Sequence, residues 1–260
     1  MKSGWGKDAD GSVDEHAQPL LEHLAELRSR ILRAVLAVLI VFFPLFYVAN
    51  DLYSFISEPL REALPAGSTM IATEVASPFL TPFKLALVMA FFIAIPYVLH
   101  QIWSFVSPGL YSHEKRLAVP LLVSSVLLFY GGMAFAYYAV FPLVFAFLTS
   151  VGPSEVAIMT DINRYLEFVL KLFFAFGFAF EIPVATLLLV ASGVTDIQSL
   201  KDKRPYVIVG CFVAGMLLTP PDVISQIMLA VPMWLLYEVG ILFARFVKRP
   251  DEDEEEAEAP

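Results

Sequence analysis

Cysteine occurs once in 260 residues, at Cys211, so the chain can form no intramolecular disulfide and no cysteine-based metal site. Histidine is almost as sparse. His16, His23, His100 and His113 are scattered, and the stretch HEKR lacks the second histidine of a zinc-binding helix. No phosphate-binding loop, dinucleotide fingerprint or nucleophile elbow occurs, and Ser124 and Ser125 lie in an apolar run without a Gly-x-Ser context. These absences argue against an enzyme and leave nothing that calls for a cofactor or a metal; no nucleic-acid partner is expected either. The sequence also lacks a fixed-period repeat and two related halves, which weakens a repeat-based transporter.

What the chain has in abundance is apolar side chains. They make up 58% of it, 14% are aromatic, and the mean hydropathy is +0.71, well above the ~45–50% apolar content of soluble domains. An all-α, polytopic integral membrane protein follows. The chain has 17 basic and 26 acidic side chains for a net −9, and seven of the acids fall within 251–258. That block reads as a solvated tail. The first 18 residues are polar and lack the apolar stretch of a signal peptide, so the first span is expected to be retained.

Six apolar segments can be set against the ~20 residues that a helix needs to cross the hydrocarbon core. They run over 31–48, 78–102, 117–148, 166–191, 206–218 and 223–247, the last containing Gln226 and Glu238. The fifth has only 13 residues, ~20 Å of helix. Thirteen Lys and Arg, among them Arg28, Arg30, Arg33, Lys115, Arg116 and Arg245, fall on the side shared by both termini, against Arg61 and Arg164 on the other. By the positive-inside rule both termini are cytoplasmic. The expected plan is a polar tail over 1–18, a six-helix membrane domain over 19–247 that opens with an amphipathic interfacial helix at 19–33, and an acidic cytoplasmic tail over 248–260. The external loops, 49–77 and 149–165, contain apolar residues and room for short helices that would cap the outer face.

Two stretches on the cytoplasmic side carry carboxylates suited to guanidinium groups. In HLAELRSR, Glu26 stands four residues before Arg30, the spacing of an ordinary surface helix pair, but a carboxylate there can also accept a foreign arginine in two parallel hydrogen bonds. In SPGLYSHEKR, Ser112 can cap the third helix with Glu114 in its first turn, which the helix dipole alone would explain. Together the two glutamates can hold two arginines of one segment.

HLAELRSRIL before the first span, SPGLYSHEKR after the second, FGFAFEIPV in the fourth and RPYVIVGCFVAGMLLTPPDVISQ across the fifth and sixth resemble the TatC family, receptor subunits of the twin-arginine protein translocase. The resemblance is collinear over 19–247. It implies a curved six-helix scaffold with short fifth and sixth helices that binds signal peptides with paired arginines on folded cargo. It also implies assembly in a multimeric complex with single-span subunits of the TatA and TatB type, and export driven by the proton motive force without ATP. Glu26 and Glu114 stand at the positions that receive the arginines; Arg28, Phe105 and Tyr111 match further signal-peptide positions, and Pro59 and Asp222 match external-loop positions that affect transport. Lys115, where many members have arginine, keeps the charge and loses the planar fork.

Inside the spans stand Lys84, Lys171, Glu181 and Glu238. Glu181 lies ten residues past Lys171, ~15 Å deeper, near the middle of the bilayer. Ionised against lipid it would cost ~2.5–3.5 kcal/mol, so a neutral, hydrogen-bonded side chain is expected. It is read either as internal glue or as a docking point for a polar residue of a partner's transmembrane helix, with Ala175, Gly177 and Ala179 permitting close approach. A proton-coupled secondary transporter with Glu181 and Lys84 as its relay is the alternative function.

Overall fold

The computed structural model describes residues 11–64, 69–106, 118–150, 159–218 and 223–245, with side chains from Ala25 onward except at 106 and 118. Apart from an isolated parallel bridge between Ile71 and Asp161, its regular structure is helical: α1 (Gly11–Tyr47), α2 (Ala49–Ile56), α3 (Glu58–Ala63), α4 (Ser77–Val106), α5 (Ala118–Phe135), a π-helical turn (Ala136–Val140), α6 (Phe141–Ser150), α7 (Ile162–Ala179), α8 (Ile182–Ala191), α9 (Ile197–Asp202), α10 (Arg204–Leu218) and α11 (Val223–Ala244).

Among the described residues, five stretches are long and apolar enough to cross a membrane: Ala25–Tyr47, Ser77–Phe105, Val119–Ser150, Ile162–Ala191 and Val223–Ala244. These match the first four and the sixth apolar segments. The fifth is the 15-residue α10, ~22 Å long, begun two residues early because Arg204 and Pro205 fit a first helical turn. At 22 residues α11 is shorter than the 30-residue α4 and still meets the spanning length.

Three details depart from the expected plan. The interfacial helix at 19–33 is not a separate element, because α1 runs unbroken for 37 residues from Gly11, with no glycine or proline between Pro19 and Pro44 to interrupt it. The third span carries a π-turn just before Pro142, which has no N–H to offer the Tyr138 carbonyl one turn back. The fourth span breaks at Phe180–Glu181, one turn before the point where Pro183 deprives the Ala179 carbonyl of its donor.

Helix α1 packs along α4, α4 against α5 and α7, and α8 and α10 against α11. The main core lies where α4, α5 and α7 meet, around Phe92, Phe129 and Phe176, with the rings of Phe92 and Phe174 4.8 Å apart. Ile40 and Phe43 of α1 point outward, as lipid contact requires. Lipid tails compete equally for apolar side chains, so helix association there rests on close packing. Gly132 supplies it: a methyl group at this position would collide with the Phe176 backbone carbonyl of α7. Gly132→Ala should therefore destabilise the bundle by about 1–3 kcal/mol, read as a lower melting temperature in detergent. Gly210→Ala, with nothing within 4 Å of the new methyl, is the control that should not fall. Equal melting of the two variants would contradict this packing.

Candidate functional site

Glu26 lies where α1 turns apolar. Its Oε1 accepts hydrogen bonds from Arg30 Nε, at 3.1 Å, and from Arg30 Nη2, so a guanidinium already occupies this carboxylate. The glutamate is the more exposed partner, at 43% against 19%. An exposed i,i+4 pair contributes only ~0.2–0.5 kcal/mol, little resistance to exchange for an incoming arginine. Arg30 also borders an apolar groove of 380 Å³ between α1 and α4, which Leu27 and Ile31 line from one side and Val98 and Phe105 from the other. The structure thus groups Glu26, Arg30 and Phe105. Arg28 points away from that groove, beside Ser29, Leu32 and Arg33. Glu114, Tyr111 and Lys115 lie outside the described residues, as does Asp222.

Glu181 caps the break between α7 and α8, half-buried, with its Oε1 buried and unpartnered. The buried Ser125 hydroxyl of α5 is the polar group acting on it. The close approach foreseen at Gly177 is taken by the protein's own α5, because a methyl there would stand 2.8 Å from the Phe129 ring. Ala175 and Ala179 face the other way, onto an open apolar groove of 750 Å³ shared with α10 and α11. Two of the other three intramembrane charges have internal partners. Lys84 Nζ donates to Glu167 Oε1 at 3.0 Å and to Asn163 Oδ1 at 3.1 Å, joining α4 to α7. Glu238 of α11 accepts from Arg204 of α10.

At the opposite end of the bundle from Glu26, the two loops are tied together. Pro59 sits in the first turn of α3, where its missing N–H costs nothing. Tyr165 donates to the Ile56 carbonyl at 2.6 Å and Tyr53 to the Ile162 carbonyl at 3.3 Å. Asp161, absent from the sequence-based candidates, is the knot. Its Oδ1 caps α7 through the N–H groups of Asn163 and Arg164, and its Oδ2 accepts from the Thr73 hydroxyl and N–H of the other loop. The Thr73 hydroxyl, then the Arg164 and Thr73 N–H groups, hold its carboxyl down at about 2, against 3.8 ordinarily. Because the folded form prefers the carboxylate, its contribution is whole above pH 3.8 and fades as the pH falls to about 2. Asp161→Ala should cost about 0.5–2 kcal/mol at neutral pH, and the melting-temperature gap from the parent should close towards pH 2. A gap that does not depend on pH would contradict this role.

The sequence reading missed Glu167, Asn163 and Asp161. Asn163, Glu167 and Lys171 recur every four residues on one helix face, a signal that was legible, whereas their partner at Lys84 is distant in sequence.

Fold and site define a polytopic α-helical membrane protein with polar sites at each end and one inside the bundle. A family model described as Sec-independent protein translocase protein (TatC) matches residues 22–232. The Sec-independent protein translocase protein TatC of Azotobacter chroococcum mcd 1 is 63% identical over 234 residues, covering 90% of this chain and 92% of that one. Its counterpart in Escherichia coli K12 is 56% identical over 232 residues, covering 89% and 90%. A crystal structure of the twin arginine translocase receptor TatC superposes with a TM-score of 0.77 at 38% identity, covering 86% of this chain and 99% of that one. The chain belongs to the TatC family and is a protein translocase component of the membrane.

Proposed function

We propose that this protein is the receptor and scaffold subunit of a twin-arginine translocation system in a prokaryotic cytoplasmic membrane, with both termini in the cytoplasm. It binds signal peptides through their paired arginines and assembles, in several copies, with single-span subunits of the TatA and TatB type. Folded cargo is then exported at the expense of the proton motive force. The observation that carries the reading is the Glu26 carboxylate, which already takes two N–H groups of a guanidinium at the edge of an apolar groove. The thirteen-to-two split of basic residues supports the orientation. Glu114 supplies the second carboxylate, and Arg28, Phe105 and Tyr111 contribute to peptide binding.

Glu181 is the docking point for a single-span partner, its unpartnered oxygen offering an acceptor in a span whose Ala175 and Ala179 border an open groove. Photocrosslinkers at positions 26 and 114 should capture the signal peptide, and one at 181 the small subunits. Glu181→Ala should weaken subunit docking and leave peptide binding intact. Loss of peptide binding with docking unchanged would overturn this division. A Lys84–Glu181 proton relay has no support, since Lys84 is engaged at Glu167, 14 residues or ~21 Å of helix from Glu181.

A further inference from the structure

The ion pairs among the described residues are Glu26–Arg30, Lys84–Glu167 and Arg204–Glu238, so Arg28 and Arg33 of α1 belong to none of them. Both arginines line one groove of 460 Å³ on α1. Two rows of residues four apart bound it: Arg28, Leu32 and Leu36 on one side, Ala25, Ser29 and Arg33 on the other. The first row passes from a cation to leucines one and two turns deeper in the membrane. Arg33 stands two residues inside the apolar run that begins at Ile31. Its long side chain points back along the helix, which brings the charge up to the level of Ser29 and Arg28. The groove is turned away from the bundle, since the one shared with α4 is lined by Leu27, Ile31 and Val35 instead. Leu32 and Leu36 are 57% and 58% exposed, and the first span is the least buried of the five.

We propose that Arg28, Ser29 and Arg33 hold the phosphate of an anionic phospholipid of the cytoplasmic leaflet, with one acyl chain lying over Leu32 and Leu36. The occupant has to bring an anion for two guanidinium groups and an apolar part for two leucines. A free phosphate leaves the leucines bare, and an apolar transmembrane helix brings no anion. The chain's own tail over 251–260 has seven carboxylates but only alanine and proline besides, nothing that covers a leucine. A phospholipid meets both demands, because its phosphate takes parallel N–H bonds from a guanidinium and its chain runs down the apolar row. From Arg28 to Leu36 is eight residues, ~12 Å of helix, within the ~15 Å depth of one leaflet's hydrocarbon. The cytoplasmic leaflet is also the one whose surface attracts basic side chains next to a span. The proposal goes beyond the receptor reading and takes from it only the cytoplasmic placement of this end. It also gives Arg28 a partner of opposite charge. Implied by the family resemblance as a signal-peptide position, Arg28 faces away from the groove beside Glu26 and cannot itself hold an arginine of like sign.

The test uses the full chain in phosphatidylcholine nanodiscs that contain a trace of either phosphatidylglycerol or phosphatidylcholine with a photoactivatable diazirine in one acyl chain, and labelled residues are mapped by mass spectrometry. Phosphatidylglycerol should label the stretch of α1 around Leu32 and Leu36 about tenfold more than phosphatidylcholine does, the scale of two arginines beside an anionic headgroup. Arg28→Gln combined with Arg33→Gln should bring the two lipids to equality. Lys201→Gln combined with Lys203→Gln removes two cations from the same side of the protein and should leave the preference in place. Excess glycerol phosphate, the headgroup without chains, should not displace the label; displacement would make this an anion site and overturn the lipid assignment. The comparison of the two lipids and the competition both use the parent protein, so they decide the matter even if a variant fails to fold. Equal labelling of the parent by the two lipids overturns the proposal, and a preference that emerges only after deletion of 251–260 assigns the groove to the acidic tail. Peptide binding plays no part in the readout, so either result leaves the receptor reading standing.

Discussion

Glu26→Ala combined with Glu114→Ala should abolish crosslinking of a twin-arginine peptide to the detergent-solubilised protein. Each hydrogen-bonded arginine–carboxylate contact is worth about 1.5–3 kcal/mol when partly desolvated, so losing two weakens binding roughly 10²- to 10⁴-fold. The single change at Glu26 should do more than remove one contact. Arg30, which now shares its charge with Glu26, would face the incoming arginine as a bare cation of like sign. Glu26→Gln keeps the shape and an oxygen acceptor, so its deficit measures charge alone. Crosslinking that persists in the double variant and still depends on the arginines would sink the assignment of these carboxylates.

The second large effect concerns Lys84 and Glu167. Lys84→Met leaves Glu167 with the Asn163 amide of its own helix, 3.4 Å away, as hydrogen-bond partner and with none from α4, inside a membrane-spanning segment. Interhelical hydrogen bonds in membranes average about 0.6 kcal/mol and reach about 1.7, and an uncompensated charge adds to that. Each single change, Lys84→Met or Glu167→Met, should thus lower stability by about 1–2 kcal/mol. The double variant removes both charges and should recover most of the loss, because the main penalty comes from leaving one partner alone. Melting temperatures in one detergent decide the matter. Additive losses would show that the two side chains act independently and that their contact does not hold α4 to α7.

Most of the fold was legible because lipid leaves a chain so few options. Any segment inside it must be helical and nearly uncharged, so the spans could be read from apolar runs and from the charges between them. Prolines stand next to two local breaks, at Pro142 and Pro183, but Pro82, Pro96 and Pro232 lie inside continuous helices, so a proline alone does not locate a break. Pairings between helices were not legible. The periodicity of α7 shows that Glu167 and Lys171 share a face, but nothing local says that Lys84, 83 residues earlier, lies across from it. The same gap explains Gly177: a small residue announces that a helix comes close without saying whose, and here it is α5.

At the candidate site, Glu26 and Arg30 followed from i,i+4 spacing, and the structure added that their pair sits beside a groove. Asp161 could have been found as the capping residue before α7, but its second bond to Thr73 depends on a loop 88 residues away.

The central claim is recognition of paired arginines by this chain, and the affinity of the purified protein for two otherwise identical peptides tests it most directly. Lysine preserves charge and loses the planar fork that fits a carboxylate, so the Arg-Arg peptide should bind at least about tenfold tighter than Lys-Lys, and the difference should vanish in the Glu26→Ala, Glu114→Ala variant. Equal affinities for the two peptides on the parent protein would contradict the account.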